Sequence, residues 1–466
     1  MSKRAKSVWK AIFSAALMAG SALVPAAVHA QDGATVEERL ERLEAMIGRL
    51  EARMDAADAS GTAAASAENV AIAQEMRAAV AETRAAAQQQ DRIETRLAAV
   101  EEKDAQGFRV GQTQFTLGGY VKLDAISQRT SGGQVPGDSI NRDFLIPSLI
   151  PVGGDPSDWD THFHARQSRV ILKGETPVGD KTLGGLLELD FLVTDGGDQR
   201  VSNSYLPRMR QAYITYGGWT FGQAWSTFQN VAALPDSVDF VGTMPGTVFN
   251  RQAMIRYRTN SGISIAVEQP ETTITNETGT RILPSDDQMP DLVLRYDRGG
   301  FAVAGILRQF HASGRILPQG GDSAFGYGVS VSGKIALGER DDLRVMATAG
   351  EGLGRYMGAN IVNDAAIDAN GNLDPIPTYA GFAAFRHVWS DRLHSTIAGS
   401  YFKADNPVDL TGTGPTDNVW NALANLIYSP VPKLDLGLEY MYAERENEAG
   451  ASGNLQKIQA SAKYSF

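Results

Sequence analysis

The sequence predicts an all-β fold, a 16-stranded antiparallel transmembrane β-barrel, with an N-terminal α-helical coiled-coil extension. Three observations predict it: apolar and polar side chains alternate in the C-terminal segment, short and long connections alternate along the chain, and a heptad pattern precedes residue 108. In a strand, alternation with a period of two separates the two sets of side chains onto opposite faces. A barrel wall with lipid outside and water inside has this pattern.

The C-terminal segment 455–466 gives the clearest strand pattern. Its apolar residues share one parity and its polar residues the other; the apolar ones are Ile458, Ala460, Ala462, Tyr464 and Phe466. The chain ends on an aromatic residue, with another aromatic residue two positions earlier. Aromatic residues suit the membrane interface of such barrels, and the terminal aromatic resembles the assembly signature of bacterial outer-membrane barrels.

Sixteen segments after residue 114 have strand character, and their spacing supports a barrel. They are 115–128, 162–175, 182–195, 206–217, 218–226, 249–259, 262–270, 289–298, 299–311, 324–337, 341–352, 377–389, 391–403, 417–429, 433–446 and 455–466. Seven tight connections alternate with eight longer ones rich in Gly, Asp, Pro and Asn. Short periplasmic turns and long extracellular loops produce this alternation. An even strand number predicts that both ends of the barrel lie on the periplasmic side.

The region before the barrel divides into two segments. Residues 1–30 have a basic start, an apolar stretch over 11–24 and a small-residue cleavage site at Val28-His29-Ala30, which predicts a signal peptide. Residues 31–107 carry apolar side chains at heptad spacing, which predicts a periplasmic coiled coil; the first of these are Val36, Leu40, Leu43, Ile47, Leu50 and Met54. A charged disordered linker is the alternative. Residues 108–466 are the predicted barrel domain.

Composition limits the possible functions. The formal net charge of −11 argues against nucleic acid as a partner. Cysteine is absent, so neither disulfides nor thiolate sites are possible. No G-x-S-x-G, P-loop or Rossmann motif is present, so neither an enzyme nor a cofactor is predicted. No metal is predicted either. His162-x-His164 has no evident third ligand, and the calcium-loop-like segment 368–374 has its Gly at the wrong position and no Glu at the bidentate position.

Sixteen strands enclose a lumen too wide for side chains to fill, so a water-filled channel is expected. Such a channel selects by its constriction and by its lining charges. The segment 226–248 is the candidate constriction loop; its only charged residues are Asp236 and Asp239. An outward surface loop is the alternative.

Arginines concentrate on the strands around this segment. The candidates for lining the channel and binding anions are Arg166, Arg169, Arg208, Arg210, Arg251, Arg256 and Arg308. A charge facing lipid costs about 2–4 kcal/mol at the bilayer midplane, so these side chains are expected to point inward. Guanidinium groups bind carboxylates bidentately. Alternatively, they pair with inward-facing acids such as Glu188 and Asp190 and only set the field of the channel.

Five stretches resemble the DcaP-like porins. They are Phe115-Thr-Leu-Gly-Gly-Tyr-Val-Lys-Leu-Asp124, Ala165-Arg-Gln-Ser-Arg169, Leu206-Pro-Arg-Met-Arg-Gln-Ala-Tyr213, Gly222-Gln-Ala-Trp-Ser-Thr-Phe228 and Asn250-Arg-Gln-Ala253. The resemblance implies a trimeric, sixteen-stranded outer-membrane porin with a periplasmic coiled coil, which passes small, preferably anionic solutes such as dicarboxylates. Its arginine-bearing motifs carry over to Arg166, Arg169, Arg208, Arg210 and Arg251 of this sequence.

The expected function is therefore passive diffusion of small hydrophilic anions across the bacterial outer membrane. Expected partners are two further copies of the chain, outer-membrane lipid and lipopolysaccharide, and a periplasmic or peptidoglycan contact through the coiled coil. An outer-membrane enzyme of lipase type is a weaker alternative, since the chain has only 6 histidines from which to build a catalytic site. A trimeric adhesin with a coiled-coil stalk is another, but its chains contribute only a few strands each.

Overall fold

The computed structural model describes residues 107–466, apart from 193–201, 277–278, 285, 315–316, 318–319 and 369, together with Arg49 and Ala52. The predicted signal peptide and nearly all of the predicted coiled coil lie outside the described residues. Within the described residues, no helix has both the length and the apolar character needed to cross a membrane.

Sixteen antiparallel strands form a closed barrel, as the sequence predicts. They are β1 (Thr113–Thr130), β2 (Asp160–His164 and Arg169–Val178), β3 (Lys181–Asp190), β4 (Arg208–Tyr216), β5 (Trp219–Trp225), β6 (Arg251–Arg258), β7 (Ile263–Glu268), β8 (Asp291–Arg298), β9 (Phe301–Ser313), β10 (Gly321–Leu337), β11 (Asp341–Glu351), β12 (Pro377–Ser390), β13 (Leu393–Ala404), β14 (Thr416–Val431), β15 (Leu434–Asn447) and β16 (Ser452–Ser465). A short strand, Phe108–Val110, folds back onto the start of β1.

Pairing of the first strand with the last closes the wall. The register runs antiparallel from Tyr120 opposite Ser465 to Thr130 opposite Leu455. The remaining strands pair with their neighbours in sequence, so one chain completes the barrel alone. This differs from a trimeric adhesin, in which several chains share one barrel.

Two strands differ most from their predicted bounds. β2 is interrupted at 165–168, where the N–H of Ser168 donates to the carbonyl of Ala165 at 3.0 Å. Both of its parts nevertheless pair with β1. β3 ends at Asp190 rather than at 195.

The seven tight connections all lie at one end of the barrel. In the β4–β5 turn, Gly217 and Gly218 have φ angles of 53° and 95°. A two-residue hairpin turn with two positive φ angles matches the twist of the flanking strands and strongly favours glycine. Trp219 packs on Tyr257 beside this turn, with ring centroids 4.8 Å apart. Such pairs contribute to an aromatic girdle at one membrane interface.

The outer face of the wall is an apolar belt. On β10 the outward side chains are exposed by 46–67%: Phe325, Tyr327, Val329 and Val331. The intervening Ser330 and Ser332 face inward and are buried. Exposed apolar residues in a continuous band are the expected lipid contact of an outer-membrane barrel.

Loop segments occupy much of the lumen. They lie around residues 140–150, 226–248 and 353–362. Leu145, Met244 and Tyr356 of these segments are all 0% exposed and share one apolar cluster with the inward-facing Ile306 and Phe402 of the wall. Burial of a large apolar side chain contributes about 1.5–3 kcal/mol, so this cluster stabilises the inserted segments.

The inserted segments and outer loops contain short elements. The helices are the 3-10 turns Ile140–Arg142, Pro147–Leu149, Val231–Ala233, Met244–Gly246 and Gly354–Tyr356, and the α-helical turn Val408–Thr411. A separate four-stranded sheet joins Ile274–Thr275, Arg281–Ile282, Ala365–Ile367 and Leu373–Pro375.

Candidate functional site

The segment 226–248, between β5 and β6, crosses the lumen. Its contacts reach strands around the wall: Asn230 Nδ2 donates to Ser332 Oγ of β10 at 3.0 Å, and Lys122 Nζ of β1 donates to the carbonyl of Val238 at 2.6 Å. Asn421 of β14 donates to the carbonyl of Gly242 at 2.8 Å. The segment therefore lies where it narrows the interior of the barrel.

A single carboxylate on β15 holds the middle of this segment. Glu439 is 2% exposed. It accepts hydrogen bonds from Ser237 Oγ at 2.8 Å and from the N–H groups of Val238 at 2.8 Å and Asp239 at 3.2 Å. Asn425 Nδ2 donates to the same carboxylate at 3.0 Å. These bonds use otherwise unpaired backbone donors of a buried loop, which would be costly to leave unsatisfied.

The two predicted acidic residues of the segment contact basic groups on the wall. Asp236 lies 3.0 Å from Arg344 Nη1 and 2.8 Å from Arg386 Nε. Asp239 contacts Lys457 Nζ. Burial raises the pKa of Asp239, but Lys457 and backbone N–H groups outweigh it, so the pKa lies below its ordinary value. The charged Asp239 and the ion pairs of Asp236 attach the segment to the wall.

Three of the predicted arginines share two acids on β3. Arg208 forms a bidentate pair with Asp190, with both distances at 2.8 Å. Arg210 bridges Glu188 and Asp190, each at 2.7 Å. Arg169 lies 3.1 Å from Glu188. The alternative interpretation, in which arginines pair with inward-facing acids, therefore applies to this group.

A fourth predicted arginine, Arg251, lies near these three but has no acidic partner among the described residues. Its guanidinium lies over the ring of Trp225 at 4.6 Å and near Phe249 at 5.7 Å. Its Nη1 is buried without a hydrogen-bond partner, as is Nε of Arg169. We call Arg169, Arg208, Arg210 and Arg251 the arginine cluster. Its four cations face only the two carboxylates of β3, which leaves excess positive charge and unused N–H donors.

Arg166 stands apart from the arginine cluster. It occupies the interruption of β2 and lies 2.5 Å from Asp143 Oδ2. Its Nε donates to the carbonyl of Phe191 at 3.2 Å, and its guanidinium lies 4.3 Å from the ring centre of Tyr205. Arg166 therefore ties the inserted 140–150 region to the wall.

Arg256 faces a separate cavity of about 630 Å³ between β4–β8 and the start of the segment 226–248. Arg295 lines the same cavity but pairs with Asp297 at 2.5 Å. Arg256 forms no ion pair with any other described residue. Trp219 and Tyr213 add aromatic surface to the cavity wall.

Arg308 differs from its predicted position on the channel surface. It is 2% exposed and lies 3.2 Å from Asp291 and 2.5 Å from Asp364. It also donates to the carbonyls of Gly352 and Glu271 at 2.6 and 2.8 Å. Its donors are used by Gly352 and Asp364, which flank the inserted 353–362 region, and by Asp291 and Glu271, so it does not line the open lumen. Arg210, also 2% exposed, is likewise enclosed by its partners.

Sequence reasoning missed the residues that anchor the inserted segments. Glu439 and Lys122 occupy ordinary inward positions of strands and carry no motif. Their partners in the segment 226–248 are 201 and 116 positions away in sequence. The only available signal was a charged residue at inward parity, which many strands of this chain share.

A closed sixteen-stranded wall with a loop folded into its lumen is the architecture of a porin-type channel. A sequence profile of the DcaP outer membrane protein family matches residues 148–466, more than half of the chain. This chain belongs to the DcaP outer membrane protein family. DcaP membership and the barrel fold assign it to the bacterial outer membrane.

Solved structures of outer-membrane proteins resemble this chain to different degrees. The outer membrane channel DcaP of Acinetobacter baumannii is 24% identical, with a TM-score of 0.63 over 77% of this chain and 99% of that chain. The anion-selective porin from Comamonas acidovorans is 13% identical, with a TM-score of 0.47 over 76% of this chain and 100% of that chain. OmpT of Vibrio cholerae is 13% identical, with a TM-score of 0.44 over 77% and 99%. No curated protein matches the chain.

Proposed function

We propose that this protein is a porin whose lumen passes small hydrophilic anions, with carboxylates as the preferred class. The charge balance of the arginine cluster carries the proposal, since four guanidinium groups face two carboxylates. An uncompensated cation beside low-dielectric walls raises the local concentration of anions. The channel is passive, and neither catalysis nor a cofactor enters the proposal.

Unused N–H donors favour direct binding of carboxylates over a general electrostatic attraction of anions. Arg251 Nη1 and Arg169 Nε have no hydrogen-bond partner among the described residues. A guanidinium presents its N–H groups in a planar fork that matches the two oxygens of a carboxylate. The segment 226–248 lies beside the cluster and brings a passing solute close to it. Arg256 would meet the same solute in the neighbouring cavity.

Ion selectivity tests this proposal most directly. Reversal potentials across a planar bilayer with a KCl gradient should show anion preference for the native protein. Arg251→Ala should reduce that preference, because it removes the cation that no acid offsets. Arg340→Ala is the matched control: Arg340 is exposed, pairs with Asp391 at 2.7 Å in or beside tight turns, and should leave selectivity unchanged.

Cation preference of the native channel would overturn the proposal. If Arg251→Ala leaves the anion preference unchanged, the arginine cluster is not the origin of that preference. Competition by a dicarboxylate, measured as reduced chloride current, then separates binding of carboxylates from a general field effect.

We further propose a homotrimer embedded in outer-membrane lipid and lipopolysaccharide, with residues 31–107 as a periplasmic coiled coil. Family membership and the heptad pattern support this assembly. Light scattering of the detergent-solubilised protein, corrected for bound detergent, should give three chains per particle. Deletion of residues 31–107 should leave the barrel trimeric if the barrel surfaces supply most of the contact. A monomeric native particle would contradict the assembly.

A further inference from the structure

Three buried side chains outside the arginine cluster converge at one point of the lumen wall. Asp143 comes from the inserted 140–150 region, while His162 and His164 occupy successive inward positions of β2. All three are at most 5% exposed. Asp143 Oδ1 lies 3.6 Å from His164 Nε2 and 4.0 Å from His162 Nε2. The fold thus supplies the third ligand that the sequence pattern His162-x-His164 lacks.

Three ring nitrogens of this cluster lack hydrogen-bond partners in the described part of the chain. Both ring nitrogens of His162 and Nε2 of His164 are buried without a hydrogen bond among the described residues. A buried polar group without a partner destabilises the folded protein, because it loses its hydrogen bonds to water. Two of these nitrogens, Nε2 of His162 and Nε2 of His164, lie near Asp143 Oδ1, which favours a ligand that all three atoms bind together. The two rings also lie nearly parallel, with an interplanar angle of 23° and centroids 5.9 Å apart.

The spacing fits a small divalent cation. One ligand atom from each of the three residues lies within 4.8 Å of the other two. Zinc takes imidazole nitrogen at about 2.0–2.1 Å and carboxylate oxygen at about 2.0–2.2 Å. Ligand atoms on one tetrahedral ion are then roughly 3.3–3.5 Å apart. The distances of 3.6 and 4.0 Å from Asp143 to the two histidines are close to this value, whereas the two histidine nitrogens, up to 4.8 Å apart, must move closer together. Two imidazoles and one carboxylate leave a coordination position open for water or for an anion.

The surrounding groups allow this coordination. Asp143 uses Oδ2 for Arg166, which leaves Oδ1 free to face the histidines. His162 Nδ1 lies 3.8 Å from Asp160 Oδ2, a carboxylate placed to accept its proton and orient the ring. Nδ1 of His164 accepts from the N–H of Arg166 at 3.3 Å. Coordination through Nε2 places the proton of a neutral imidazole on Nδ1, so this long contact is given up.

We propose that Asp143, His162 and His164 form a binding site for a divalent transition-metal cation, with Zn²⁺ as the representative ion. The bound cation cross-links the inserted 140–150 region to β2. It also places positive charge next to Arg166, in the same lumen as the arginine cluster. The site is independent of which solute the channel passes.

Calorimetry with the full-length, detergent-solubilised protein tests the site. After removal of metals with a chelator, titration with Zn²⁺ alone should show one ion per chain. Asp143→Asn and His164→Ala should each weaken binding at least tenfold. His394→Ala is the matched control: it removes a half-buried histidine on β13, away from the cluster, and should leave the affinity unchanged.

A second readout reports the coordination itself. Co²⁺ in a tetrahedral site of two imidazoles and a carboxylate gives an intense visible absorption, which Zn²⁺ should displace. His162→Gln should abolish this spectrum while the barrel keeps the mobility shift of a folded protein in unheated gels. Absence of the spectrum in the native protein, or binding unaffected by Asp143→Asn and His164→Ala, would show that the three groups only pair among themselves.

Discussion

At the scale of single residues, arginines at two inward positions of the wall have different roles. Arg308 donates to Asp291, Asp364 and two carbonyls, and it therefore connects β9 to the surrounding loops. Arg251 stacks on aromatic rings and keeps an unused donor. Arg251 begins β6 and Arg308 lies within β9. The sequence predicts an inward charge for both and cannot tell the anchored arginine from the free one.

The difference depends on which loop inserts beside each arginine. Asp364 reaches Arg308 from 56 positions away in sequence. No comparable acid approaches Arg251 in the described part of the chain. The local sequence pattern predicts whether a strand residue faces inward or outward. Tertiary packing decides which residue it meets across the lumen.

At the scale of elements, strands were predictable and inserted segments were not. All sixteen strands form close to their predicted positions, because inward and outward residues alternate along each strand and turn residues mark the ends. The location of the segment 226–248 depends instead on partners such as Glu439, 200 positions from Asp239. Its few charges and its prolines made insertion plausible without specifying the contacts.

Glu439 should determine how firmly the segment 226–248 is held. Glu439→Gln replaces one acceptor oxygen with an NH₂ group that faces other N–H donors. Hydrogen bonds to a charged group contribute about 1.5–3 kcal/mol each, so the segment should detach more often. Single-channel recordings in planar bilayers should then show more frequent and larger conductance fluctuations than the native protein.

Glu446→Gln is the control for this change. Glu446 lies on the same strand, β15, near its long-loop end, and its substitution should leave the current trace unchanged. If Glu439→Gln shows the same conductance fluctuations as the native protein, the other contacts, such as that of Lys122 with Val238, are sufficient to hold the segment 226–248.

At the scale of the whole molecule, the wall is apolar on both sides where loops insert. Parity correctly predicts the lipid-facing belt, but it also predicts a polar interior. Phe402, Val419 and Met441 point inward and are 0% exposed, because the inserted segments cover them. The chain therefore combines a membrane surface outside with a protein core inside, and only the first follows from alternation along single strands.

The outer belt gives the sharpest test of the fold in its bilayer. Val329 lies at the middle of β10 and faces outward, 52% exposed, whereas Leu337 faces outward at the short-turn end of the same strand, 42% exposed. Arginine facing lipid costs about 2–4 kcal/mol at the midplane and about 0–1 kcal/mol near the interface. Val329→Arg should therefore destabilise the folded barrel far more than Leu337→Arg does, as measured by denaturant unfolding in lipid vesicles.

In detergent micelles, which deform around a charge, the difference in unfolding free energy between the two variants should be smaller. Equal losses for both variants in vesicles would mean that the surface centred on Val329 does not face hydrocarbon.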